Sequence, residues 1–72
     1  MSYIDDLADK LAQEAIAAMR ELGDEDLPRE IAKVLGASSQ TTEEAFLTAM
    51  RVRLAEMRAR DVIARARARG PK

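Results

Sequence analysis

Apolar residues recur at intervals of three and four along the first third of the chain: Ile4, Leu7, Ala8, Leu11, Ala15, Ala18, Met19 and Leu22. That rhythm follows the turn of an α-helix and puts all of them on one side, which predicts an amphipathic helix over about residues 3–22 packed on a single face. Ser2 stands where an N-cap is needed, Asp5, Asp6 and Asp9 lie near the positive end of the helix dipole, and Gly23 supplies the stop. A shorter pattern, Ile31, Val34 and Leu35, predicts a second helix over about residues 28–35, with Pro28 in its first turn and Gly36 ending it. A helix this short is marginal alone and must lean on its neighbours.

After "GASSQT" the helical pattern resumes and meets no Gly or Pro until Gly70-Pro71. Thr41 and Glu44 have the capping-box spacing, so the third helix is predicted over about residues 42–69, roughly 42 Å long at 1.5 Å per residue. On a wheel of about 100° per residue its side chains fall into four strips. Phe46, Leu47, Met50, Leu54 and Met57 make a large apolar strip that should cover the first two helices. Val52, Ala55, Ala59, Val62 and Ala66, with Ile63 beside them, make a second strip of smaller residues on roughly the opposite side. Arg51, Arg58, Arg65 and Arg69 line one border between the strips, and Arg53, Glu56, Arg60 and Arg67 line the other.

A helix with one intramolecular contact needs only one apolar face. The second face therefore points to another chain, with small side chains permitting close approach. Val52, Val62 and Ile63 strengthen this, because β-branched residues form helix less readily than alanine and gain most when packed. Asp61 falls where the large strip would continue, so beyond Met57 the helix is expected to leave its own domain. The expected fold is all-α: one domain over residues 1–72, three helices with a long C-terminal one, completed by oligomerisation, with a homodimer favoured.

Composition presses in the same direction. A monomer of 72 residues buries only about 60 to 65% of its unfolded surface. With no Cys there is no disulfide to compensate, and many of the apolar residues are alanine; Tyr3 and Phe46 are the only aromatics. No stretch reaches the roughly 18 to 20 apolar residues of a membrane span, and the N-terminal "MSYIDDLADK" lacks the basic start and apolar run of a signal peptide, so a cytoplasmic protein with no membrane partner is expected. The formal net charge of -1 conceals an asymmetry: residues 1–36 hold nine acids and four bases, residues 37–72 four acids and eight bases. The two halves attract, within a chain or between chains.

Enzymatic machinery is not legible. There is no His, and the acids of the first helix and of "GDEDLP" are explained by capping and solvation. Asp5 and Asp9 share a helix face, but magnesium ordinarily asks for more oxygen ligands than that pair supplies. Ser38, Ser39, Thr41 and Thr42 have no activating partner, and three scattered glycines make no phosphate loop. No catalytic residue, cofactor or metal is expected.

"REIAKVLGASSQTTEEAFL", residues 29–47, resembles the helix-turn-helix of bacterial DNA-binding domains, with Ala32 four residues before a turn glycine, Gly36. The resemblance implies nucleic-acid binding through the start of the third helix. That start carries Glu43 and Glu44, which oppose phosphate, and Thr42 stands where an apolar packing residue is usual. The expected function is accordingly non-enzymatic protein–protein interaction, as a structural or small regulatory oligomer joined through Val52, Ala55, Ala59, Val62, Ile63 and Ala66. Arg51, Arg58, Arg65 and Arg69 are the candidate electrostatic contacts to a partner, an acidic protein or nucleic acid. Nucleic-acid binding, by a helix-turn-helix or a basic helix, is the alternative.

Overall fold

A computed structural model describes residues 2–71, which form three α-helices and, among these residues, no strand: α1 Tyr3–Leu22, α2 Leu27–Ser38 and α3 Gln40–Arg69. The chain is a small all-α three-helix domain. Among the described residues no helix is long and apolar enough to cross a membrane.

The caps explain where α1 begins and ends. Ser2 is extended and its Oγ accepts from the Asp5 amide at 3.1 Å, while Gly23 adopts the left-handed conformation at φ 66° and its amide donates to the Met19 carbonyl at 2.8 Å. The Asp26 amide donates to Asp24 Oδ1 at 3.0 Å, a local turn that delivers the chain into α2 with Pro28 in the first turn.

The α2–α3 connection differs from the expected one. α2 does not stop at Gly36 but continues to Ser38, and α3 begins at Gln40, so the whole turn is one residue, Ser39. Ser39 closes α2 by donating its amide to the Leu35 carbonyl at 2.7 Å and opens α3 by accepting from the Thr42 amide at 3.2 Å. Thr42 Oγ1 lies 2.9 Å from the same serine oxygen. The Thr41–Glu44 capping box therefore does not form: serine caps better than threonine, and Ser39 reaches the orphan amides first. Gly36 lies inside α2 and makes no turn, and a Cβ there would stand 2.7 Å from the Glu43 Oε1 at the start of α3.

Both α1 and α2 rest chiefly on α3 and touch each other more sparingly. The buried core is Ala8, Ala12 and Ala15 of α1, Ala32 of α2, and Phe46 and Met50 of α3. Phe46 is the largest side chain fully shielded from water among the described residues. The alanines let the helix backbones approach closely, and Phe46 fills the space between them.

Two corrections to the expected core follow from that close approach. The buried line of α1 runs through Ala8, Ala12 and Ala15, rotated away from Leu7 and Leu22, and Leu22 is left 72% exposed. On α2 the buried residue is Ala32, with Ile31 and Leu35 half-buried and Val34 73% exposed. Small residues face α3, and the larger aliphatics of α1 and α2 move to the flanks.

The large strip of α3 behaves as expected, with Phe46 and Met50 buried and Leu47, Leu54 and Met57 half-buried. From Arg58 to Pro71 every residue is exposed. The terminal turns of α3 thus form an arm beyond the domain, and the radius of gyration of 14.9 Å exceeds the roughly 11 Å of a compact chain this long.

Two glycine replacements should act in opposite directions. Gly23→Ala, forced into the left-handed region, should lower stability by about 1 kcal/mol. Gly36→Ala should raise it by about 0.5 kcal/mol through better helix propensity, because the crowding atoms end a flexible glutamate that can swing aside. Urea denaturation at one fixed protein concentration measures both. A loss of stability in Gly36→Ala would show that Glu43 cannot yield.

Candidate interaction surface

The site begins where α1 crosses α3. Asp9 leaves α1 toward α3 and meets Arg53 in a two-pronged pair: Arg53 Nε donates to Oδ1 at 2.8 Å and Nη2 to Oδ2 at 2.6 Å. Gln13 Nε2 donates to the same carboxylate at 3.0 Å. Arg53 also reaches Glu56 at 3.4 Å, and Glu56 accepts from Arg60 at 3.0 Å. A chain of charges therefore ties the acidic helix to the basic one along the border of α3 that carries Arg53, Glu56 and Arg60. Farther along, Arg20 Nη2 lies 3.9 Å from Met57 Sδ, so the contacts advance together along α1 and α3 and end near Met57.

Hydrogen bonding from Arg53 holds the Asp9 carboxyl below its usual 3.8; partial desolvation opposes this, while Gln13 and the arginine's charge reinforce it. Both side chains remain partly in water, so the pair adds little to the stability of the fold and marks the place where α1 crosses α3. Asp9 is thereby engaged with a guanidinium and is not free to work with Asp5.

On the far side of α3 the second apolar strip is wet from end to end. Val52 is 62% exposed, Val62 58% and Ile63 52%, and Ala55, Ala59 and Ala66 are exposed as well. These residues are continuous along about 21 Å of helix. The strip starts beside the domain, where Val52 shares a shallow groove with Ala45, Thr48, Ala49 and the acids Asp5 and Asp9, and it finishes on the arm.

Arg51, Arg58, Arg65 and Arg69 are all exposed along the other border, and none makes an ion pair among the described residues. The Glu56–Arg60 pair forms, but Asp61 and Arg65, which have the same spacing, make no bridge among those residues. Both lie on the arm in full contact with solvent, where such a pair gains little.

Reading the sequence for a face on α3 missed a second surface. Ile31, Leu35 and Leu11, packed at the edge of the core, join Leu27 and the exposed Val34 to line a groove of about 370 Å³ between α1 and α2, in which Glu30 is the one charged wall. The available signal was the Ala8–Ala12–Ala15 line, which matches the helical period as well as the larger residues do.

The segment resembling a helix-turn-helix adopts a different corner. A single residue joins α2 to α3 where that motif has about three to four, and Glu43 stands at the corner against Gly36. Among known proteins no family model, no curated protein and no solved structure matches this chain.

The Asp9–Arg53 geometry sets a pH dependence of definite sign. A carboxyl with a depressed folded-state pKa contributes stability that is complete above its unfolded value and is lost as pH falls through the folded one. In a carboxyl-carbon NMR titration Asp9 should therefore titrate below 3.8, and Arg53→Leu should move it up toward 3.8. Equal midpoints in the two proteins would mean that the pair does not persist in solution.

Proposed function

We propose that this chain is a non-enzymatic, cytoplasmic protein-binding domain that self-associates through the second strip of α3, giving a small structural or regulatory oligomer. One observation carries the proposal: Val52, Val62 and Ile63 stand more than half exposed in a row opposite the face that α3 uses for its own core. A buried aliphatic side chain of this size gains about 1.5 to 3 kcal/mol over an exposed one, so the row has much to gain from a partner. Alanines between the larger residues let a second helix approach closely, and the flanking arginine stems can cover the rim while their heads stay wet. The divided charge of the chain, acidic before Ala37 and basic after it, suits association between copies.

A polyanion, nucleic acid or an acidic protein, is the second reading, favoured by the row Arg51, Arg58, Arg65 and Arg69, which makes no ion pair among the described residues. It ranks lower for nucleic acid because the one-residue corner and Glu43 replace what a recognition helix would present.

Sedimentation equilibrium separates the two. The mass should climb with concentration from 8.0 kDa toward twice that value, and Val62→Asp should weaken assembly by at least about tenfold through loss of burial and the cost of a desolvated charge. Arg58→Glu with Arg65→Glu should leave the Val62-dependent mass largely in place while abolishing any attraction to a polyanion. An unchanged oligomer in Val62→Asp would place the seam elsewhere.

A further inference from the structure

Five of the six residues of the second strip are symmetric about one of them, while Val62, three past Ala59, has Glu56 as its counterpart. Counting from Ala59, apolar side chains stand seven residues before it (Val52), four before (Ala55), four after (Ile63) and seven after (Ala66). A two-fold axis crossing the helix at Ala59 would bring each residue opposite the one equally far on the other side. Val52 would then face the partner's Ala66, and Ala55 the partner's Ile63. At both levels a β-branched side chain meets an alanine, the alternation that lets two helix surfaces interlock at native density.

One ion pair favours the antiparallel orientation. The groove beside Val52 carries Asp5 and Asp9; Asp9 is taken by Arg53, while Asp5 makes no ion pair among the described residues. Arg67 lies on the border of α3 that faces α1, the border of Arg53, Glu56 and Arg60. It is eight residues past Ala59, so in the antiparallel pair it falls level with position 51 of the other chain, at that groove. In a parallel pair it would stand about 24 Å farther along the helix. On the opposite border the rows Arg51, Arg58, Arg65 and Arg69 of both chains would share one side, with Arg58 about two helical positions from the partner's Arg58, and that repulsion opposes the pairing and weakens with salt.

We propose that the strip is occupied by a second copy of this chain, antiparallel about Ala59, with the partner's Arg67 completing the acidic groove at Asp5. The inference rests on the self-association described above and adds to it an orientation, a register and a specific ion pair.

Cysteine cross-linking of the full chain tests it, since the natural sequence has no Cys. Ala59→Cys alone should form a disulfide dimer in either orientation. An equimolar mixture of Val52→Cys and Ala66→Cys should form the mixed disulfide, while neither variant should link to itself. Self-linking of Val52→Cys and of Ala66→Cys would overturn the antiparallel register and leave self-association standing. Failure of every cross-link with a doubled sedimentation mass would overturn the register and move the seam; failure with the mass of one chain would defeat self-association itself. As a second arm, Arg67→Glu should weaken the dimer by about two- to fivefold, the scale of an exposed ion pair, and Asp5→Arg combined with Arg67→Glu should restore it. No restoration by the swap would remove the Asp5–Arg67 contact.

Discussion

The fold depends on one packing arrangement: a line of alanines, Ala8, Ala12 and Ala15, laid against Phe46 and Met50. Because alanine has so little bulk, α1 comes close enough to α3 for a single aromatic ring to fill the space between them. The same closeness turns Leu7 and Leu22 outward, and Ala32 does the equivalent on α2 by leaving Val34 in water. The chain thus obtains a tight but small core and keeps most of its large aliphatic surface on the flanks.

That economy explains why α3 outgrows the domain. Its large strip ends at Met57, next to the last contact with Arg20, and Asp61 occupies the next position on that side. Beyond this point the remaining apolar residues of α3 all belong to the second strip or are alanines. Packing of the alanine line on Phe46 and Met50 lays α1 where Asp9 meets Arg53, which puts the acidic start of α1 beside the beginning of that strip. Where the two helices cross decides which end of the strip is acidic, and the sequence of α3 itself supplies the arginines at the other.

Much of this was legible in the sequence, for reasons that differ by element. The helices were visible because α1 and the first half of α3 carry a strong apolar period and because Ser2 and Gly23 cap as their chemistry demands. The strip of Val52, Val62 and Ile63 was visible because β-branched residues on a second face contradict simple one-sided packing. The rotation of α1 was hidden, since periodicity gives a face but does not say whether leucines or alanines sit at its centre. Gly36 was misread because glycine is a usual helix stop, whereas here α2 runs through it and Ser39 makes the turn. The pairing of Asp9 with Arg53 joins residues 44 apart and had no local signal.

The central claim, that the arm of α3 is held by another copy of the chain, has a direct physical signature. An unpartnered helical arm of about a dozen residues is marginal in water and should fray. Amide hydrogen exchange across a wide range of protein concentration reads this residue by residue. Protection from Arg60 to Ala66 that rises with concentration, while the amides from Ala8 to Ala15 stay protected throughout, is the expected result. Exchange of the arm at unstructured-chain rates at every concentration would contradict the claim.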